Sequence, residues 1–145
     1  MTEYWSDGVK TLHGFYSVGF PNCFHMGLVQ NAVAPNFTHL LDEQARHITE
    51  VLKRASARSA SIVEPTAEAE AEWQCAMRAK AVQVLDFLES CTPGSLNNEG
   101  KPSERNITTV QYGGGPVEFF ELIQAWRSKE DMKGLRFCDA DSDLA

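Results

Sequence analysis

The chain has 145 residues, of which 43% are hydrophobic, so its length and composition suit one domain with a buried core. Its formal net charge of −7 excludes the basic face that nucleic-acid binding requires, and it disfavours a role at a membrane surface. No apolar run approaches the roughly 20 residues that a membrane span needs, and no basic stretch precedes an apolar one as in a signal peptide. These features predict a cytoplasmic protein.

The cysteine and histidine spacings predict neither a disulfide framework nor a metal site. The four cysteines are Cys23, Cys75, Cys91 and Cys138. None of them forms a C-x-x-C pair, so we expect reduced thiols. His39 and His47 lie eight positions apart, whereas a metal-binding pair on a helix is usually three or four apart. Ordinary helix surface or packing is therefore the expectation for both histidines.

The first 37 residues predict turns and one or two short strands. Gly8 and Gly14 divide residues 1–18 into short pieces. Residues 22–27 have few charged side chains and end in glycine, which favours a short buried strand. Residues 28–37 form a loop, because Pro35 disfavours helical geometry at the residue before it.

A first helix is predicted over residues 38–55, with Asn36 or Thr38 as its cap. Asp42 and Glu43 are placed near the positive end of its dipole. The predicted buried face follows helical spacing through Leu41, Ala45, Ile48 and Leu52.

A second helix is predicted after a connector at residues 55–63, with Thr66 as its cap. The acidic residues 64–72 alternate with small ones, so we expect them to form a solvated face. An apolar stripe on the same helix predicts core packing rather than a cofactor site. Its members are Trp73, Met77, Ala81, Val84 or Leu85, and Leu88.

Residues 92–116 predict an exposed loop that includes a short extended piece at 107–112. Three glycines at 113–115 favour a turn with close backbone approach over an anion-binding nest. A third helix begins at Pro116 and buries Phe119, Ile123 and Trp126, and Gly134 follows its end. The acidic residues at 138–145 form a tail that we expect to be mobile.

These elements predict a helix-rich α/β piece with one or two short N-terminal strands and three main helices. The sequence contains no G-x-S-x-G, H-E-x-x-H or phosphate-loop motif, so no catalytic residue is assigned. The helix start at Asn36 and Phe37 offers free N–H groups, which favour a partially negative ligand atom such as a flavin pyrimidine carbonyl.

An ordered series of motifs runs from Trp5 to Phe137. It comprises Trp5, Gly8 and Gly14; Gly19-Phe20-Pro21-Asn22-Cys23-Phe24; Gln30; Asn36-Phe37-Thr38-His39; Leu41-Asp42-Glu43-Gln44; Glu72-Trp73; Cys91-Thr92-Pro93-Gly94; Asn97-Asn98-Glu99-Gly100-Lys101; Tyr112-Gly113-Gly114; Phe119-Phe120; and Gly134-Leu135-Arg136-Phe137. This succession resembles the C-terminal part of Baeyer–Villiger monooxygenases, which are flavin-dependent enzymes. The order of the motifs is more specific than any single one.

The resemblance implies a partial FAD-domain remnant. It implies FAD contacts at Gln30, Asn36 and Phe37, and a loop near NADPH that carries Asn98 and Lys101. Such enzymes insert one oxygen atom into a ketone. By the same resemblance, residues 1–55 of this single domain correspond to the end of an FAD-binding domain and residues 56–137 to a helical and loop extension. Residues 138–145, beyond the resemblance, are the acidic tail.

The departures from the family pattern limit this expectation. The G-x-G-x-x-G turns for FAD and NADPH, and the family's catalytic arginine, are not in this sequence. We therefore expect a fragment or subunit that is inactive alone and binds neither cofactor tightly. Its partner would be a polypeptide that supplies the nucleotide-binding domains, or a second copy of the chain.

Two alternatives stay open. One is a non-enzymatic, stand-alone helical module that binds a protein or a small hydrophobic molecule. The other is a small lyase or isomerase, although no acid–base pair in the sequence supports it.

Overall fold

Three helices and one antiparallel pair of strands form the regular structure of the residues that the computed structural model describes. These are residues 1–32, 34–94, 99–101 and 111–139, with the backbone alone for 81–88. The elements in chain order are α1 (Phe37–Ala57), β1 (Ile62–Pro65), α2 (Ala67–Ser90), α3 (Gly115–Arg127) and β2 (Leu135–Cys138). The expected helix-rich α/β piece is confirmed. In this part of the chain no helix is long and apolar enough to cross a membrane.

The start of α1 follows the predicted capping. The side chain of Asn36 accepts a hydrogen bond from the His39 backbone N–H at 3.0 Å. The prediction that Asp42 and Glu43 lie near the positive end of the helix dipole is wrong, because the first turn contains no acidic residue. Asp42 lies in the second turn and instead pairs with Arg46 at 3.0 Å on the exposed surface, where such pairs contribute little stability.

The buried face of α1 is shifted by one residue from the prediction. Its members are Leu40, Gln44, His47, Val51 and Ala55. Leu52, which the apolar pattern placed inside, is 49% exposed. The shift is possible because Gln44 exchanges hydrogen bonds with the backbone of Gly27 at 2.9 and 2.6 Å. His47 Nε2 likewise forms a hydrogen bond with the Tyr16 hydroxyl at 2.7 Å, so each of these two polar side chains has a partner inside.

The capping and apolar stripe of α2 are confirmed where the structure describes them. Thr66 accepts a hydrogen bond from the Ala69 N–H at 3.2 Å. Trp73 and Met77 are buried, whereas the predicted stripe members at 81, 84, 85 and 88 lie outside the described side chains. The expected solvated acidic face is partly wrong, because Glu70 is only 5% exposed.

The strands lie elsewhere than predicted. β1 pairs with β2 from Ile62 opposite Cys138 to Pro65 opposite Leu135, although residues 55–63 were expected to be a connector. Residues 22–27 form no strand. The paired residues are 70 or more positions apart and each strand is four residues long, so neither strand has a local pattern that reveals the pairing.

The third helix agrees with its prediction. Phe119 and Ile123 are buried and Trp126 packs partly buried against the core. Gly113 lies against α2, where a Cβ atom would be 2.4 Å from the Lys80 carbonyl oxygen. This confirms the expected close backbone approach. The expected extended piece at 107–110 and the mobile tail at 140–145 lie outside the described residues.

Two buried histidines sit among the aromatic rings of the core. The ring of His47 stacks on Phe15 with centroids 4.2 Å apart, and His13 meets Trp73 edge-on at 4.8 Å. Burial lowers the pKa of each histidine to about 3, and for His47 the nearby His13 and Arg127 lower it further. Both rings are therefore neutral near pH 7.

This neutrality predicts a stability that falls with acidification. The unfolded chain takes up protons near the ordinary histidine pKa of about 6.5, whereas the folded chain does so only near 3. Stability is thus complete above pH 6.5 and decreases as the pH falls, by about 1 kcal/mol per histidine between pH 7.5 and 5.5. Urea unfolding of the wild type and of His47→Gln over this range checks it. The variant should lose one histidine's share of the pH dependence, and equal slopes would contradict the assignment.

A second prediction concerns the contact at Gly113. We expect Gly113→Ala to lower the free energy of unfolding by about 1–3 kcal/mol, because a backbone carbonyl cannot move aside for the methyl group. Gly94→Ala is the matched control, since among the described residues its Cβ would meet only the Thr92 oxygen, at 3.9 Å. Urea midpoints should separate the two variants. A control that loses as much stability as Gly113→Ala would refute the steric explanation.

Candidate functional site

The start of α1 presents the free N–H groups that the sequence predicted. Asn36 uses its side chain for the His39 N–H and its carbonyl for the Leu40 N–H. Among the described residues, no acceptor takes a hydrogen bond from the N–H of Phe37 or Thr38. The Phe37 side chain is 49% exposed. The helix dipole adds partial positive charge here, so the site suits a partially negative oxygen atom.

Gln30, the first predicted FAD residue, lies inside the molecule. It has no exposed surface, and its backbone has a left-handed φ of 49°. Its side-chain oxygen accepts a hydrogen bond from the Thr11 hydroxyl at 2.6 Å, and its side-chain N–H donates to the Val9 carbonyl at 2.8 Å. Gln30 therefore positions the loop before α1 rather than presenting its side chain at the surface.

A buried amide pair ties this loop to α2. Gln74 and Gln30 approach at 3.0 Å through their side-chain amides. Gln74 also donates to the Thr11 carbonyl at 2.9 Å. A Cβ on Gly14 would lie 2.7 Å from the Val29 oxygen, so only glycine permits the loop to approach this turn. The network fixes the position of the chain that leads to Asn36.

The turn at residues 19–22 is held by two carboxylates. Glu70 accepts the Val18 N–H at 2.9 Å and the Tyr4 hydroxyl at 2.5 Å. Glu64 accepts the Gly19 N–H at 2.7 Å. Asn22 then exchanges hydrogen bonds with the backbone of Val63 on β1, both at 2.9 Å. The motif thus has a structural role, since it pins the N-terminal segment to the sheet.

The predicted nicotinamide loop is described only in part. Lys101 is exposed beyond the end of α2, and Asn98 lies outside the described residues. The backbone after this loop returns to the core at Tyr112, whose N–H donates to the Asn31 carbonyl at 3.0 Å. The Tyr112 ring also stacks on Trp73 at 5.5 Å between centroids. The segments before α1 and before α3 are therefore joined directly next to Gln30.

Tyr112 also has an unusual hydroxyl environment. It donates to Glu118 at 2.5 Å, and Lys80 pairs with the same carboxylate at 2.8 Å. Burial and the neighbouring carboxylate raise the pKa of Tyr112 to about 12, so the phenol stays protonated. The pKa of the exposed Glu118 is lowered by its hydrogen bonds with Lys80 and Tyr112.

Sequence reasoning missed the inward roles of Glu64, Glu70 and Gln74. The alternation of acids with alanines indicated only a polar face, and a single glutamine gave no signal. Their partners are backbone groups of residues 11–19, which lie more than 40 positions away. The acid at 70 could have been suspected because Trp73 and Met77 lie one and two turns beyond it on the predicted buried stripe.

The described residues contain no cluster of three side chains that could hold a metal ion. All four cysteines are free thiols, as predicted.

The matches to curated relatives cover nearly all of this chain but less than a quarter of each relative. The pentalenolactone D synthase of Streptomyces exfoliatus is 42% identical over 135 residues, which cover 93% of this chain and 23% of that protein. Baeyer–Villiger monooxygenase 4 of Dietzia sp. is 36% identical over 94% of this chain and 22% of that protein. A search against models of protein families gives no match.

Solved structures show the same partial coverage. The polycyclic ketone monooxygenase of Thermothelomyces thermophila matches with a TM-score of 0.82 and 30% identity, over 94% of this chain and 22% of that one. A steroid monooxygenase bound to NADP shares the fold, with a TM-score of 0.70 at 22% identity, and 24% of its chain is covered. The chain spans less than a quarter of the length of these relatives. It is a homologue of one segment of the Baeyer–Villiger type of flavin-dependent monooxygenase.

Proposed function

We propose that this chain is the flavin-facing C-terminal segment of a monooxygenase that inserts oxygen into a ketone with FAD and NADPH. The observation that carries the proposal is the match to such enzymes over 93% of the chain. The free N–H groups of Phe37 and Thr38 support it, because they suit the pyrimidine oxygen of a flavin. FAD supplies the oxygen-activating and redox chemistry when bound, and NADPH supplies the reducing equivalents.

In this proposal the residues of this chain position the pyrimidine oxygen of the flavin and take no part in the reaction themselves. Asn36 caps the start of α1, and among the described residues the N–H groups of Phe37 and Thr38 have no acceptor. The dipole of α1 favours negative charge beside them. Gln30 holds the approach to the helix through its buried hydrogen bonds. Lys101, and with it Asn98, belongs in this proposal to a loop near the nicotinamide cofactor.

The proposed activity needs two nucleotide-binding domains, and this sequence contains no dinucleotide-binding turn, so we propose that a partner supplies them. The partner is a polypeptide with both nucleotide-binding domains. Exposed apolar side chains precede and begin α1, namely Met26 at 52%, Leu28 at 40% and Phe37 at 49%. Such a group of exposed apolar residues favours a covered surface in the assembled enzyme. FAD and NADPH are not expected to bind tightly to the chain alone, and the assembled enzyme is proposed to be cytoplasmic.

A chimera tests the proposal. In it, this chain replaces the matching segment of the Streptomyces exfoliatus relative, which is 42% identical. We expect the chimera to purify with flavin absorbance and to consume NADPH in the presence of a ketone. A well-folded, colourless chimera would contradict the assignment and favour a stand-alone helical module.

The role of the free N–H groups is tested within the same chimera. Phe37→Pro removes one donor yet suits the first position of a helix, and Asn36 already has the extended conformation that precedes proline. Phe37→Ala is the matched control, since it also loses the ring but keeps the N–H. We expect the proline variant to retain FAD about tenfold more weakly than the alanine variant, because one charge-assisted hydrogen bond is lost. Equal FAD affinities would exclude a flavin contact at this amide.

A further inference from the structure

A groove of about 450 Å³ opens between α2, α3 and the turn at Leu12 and His13. Its volume is in the range of small-molecule pockets, and its lining is mostly apolar. Small side chains at Ala69, Ala76 and Ala125 leave the space. The groove shares no lining residue with the start of α1, so it is separate from the proposed flavin contact.

Three aromatic rings form the walls of this groove. His13 lies edge-on to both Trp73 and Trp126, with centroids 4.8 and 5.3 Å apart. The indole N–H of Trp126 donates to the Lys133 carbonyl at 2.8 Å, which holds that wall in place. The mostly apolar lining and its aromatic rings suit an apolar ring system better than a branched polar group.

Two polar atoms of the walls are unpaired within the part of the chain that the structure describes. Trp73 Nε1 and His13 Nδ1 are buried, and neither makes a hydrogen bond with any residue that the structure describes. His13 also has a φ of 54°, a backbone conformation that costs free energy outside glycine. Unpaired buried polar atoms are uncommon in folded proteins, and two of them lie on residues that line this groove.

The rim of the groove carries two lysines without ionic partners. Within the described chain, no carboxylate lies at ion-pair distance from Lys129 or Lys133. Their backbones are fixed, since Arg54 donates to the Lys129 carbonyl at 3.2 Å and Asp131 accepts the Lys133 N–H at 3.3 Å. Glu72 and Asp131 also line the groove, and these two acids disfavour a ligand with several negative charges.

We propose that this groove binds an aromatic monocarboxylic acid, with its ring system against the aromatic wall of Trp73, His13 and Trp126 and its carboxylate at Lys129 and Lys133. The acid offers the apolar surface that the walls match and one negative charge for the unpaired ammonium groups. The inference does not depend on the flavin assignment, because it rests on other residues.

Calorimetric titration of the purified chain with 2-naphthoate tests the proposal, with the neutral 2-acetonaphthone as the matched probe. We expect saturable 1:1 binding of the acid, and weaker binding of the ketone. Ala76→Phe fills the groove and should weaken both probes at least about tenfold. Ala79→Phe, an exposed position on the same helix, should leave both unchanged. Circular dichroism confirms that each variant is folded.

The double variant Lys129→Met, Lys133→Met separates charge from shape and cannot disturb a core, because both side chains are exposed. It should weaken 2-naphthoate about tenfold and leave 2-acetonaphthone within threefold. Lys53→Met is the control lysine. Absence of saturable binding below about 1 mM would overturn the proposal. Equal losses of probe affinity in Ala76→Phe and Ala79→Phe would also overturn it. So would sedimentation that shows a dimer in which a second copy prevents probe binding.

Discussion

The buried amide pair of Gln30 and Gln74 is the contact on which the rest of the arrangement depends. It joins the irregular N-terminal third of the chain to α2 through side chains that are almost completely buried. A segment without regular strands has few backbone partners of its own, so its polar groups must be satisfied by side chains. Thr11, Val9 and Gly14 meet this need around one point.

The carboxylates of Glu64 and Glu70 extend the same principle to the turn at residues 19–22. Each accepts a backbone N–H that no strand neighbour could take, and Asn22 pairs with β1 through its side chain. Glu64 also bonds Arg136 across the sheet at 2.6 Å. The start of α1 and the small sheet are therefore parts of one connected structure. The motif at residues 19–22, which helps to identify the family, therefore attaches the N-terminal segment to β1 and α2 in this chain.

The helices were largely predictable, because caps and periodicity are local. Asn36, Thr66 and Pro116 each lie where the chain enters a helix. The face that α1 buries was not predictable in this way. Apolar counting selected Leu52, whereas the fold buries His47 and Gln44, which Tyr16 and Gly27 hydrogen-bond from outside the helix. The strands escaped prediction for a related reason, since their pairing joins the connector before α2 to the segment after α3.

By itself, the sequence determined the helix boundaries within a few residues, the absence of a local catalytic motif, and the family to which the ordered motifs belong. Tertiary structure alone decided which polar residues are buried and what they hold. The physical reason is that a polar side chain is stable inside only when a partner reaches it, and here those partners are brought together from distant parts of the chain. The same holds for the groove beside Trp73, whose three walls come from separate segments.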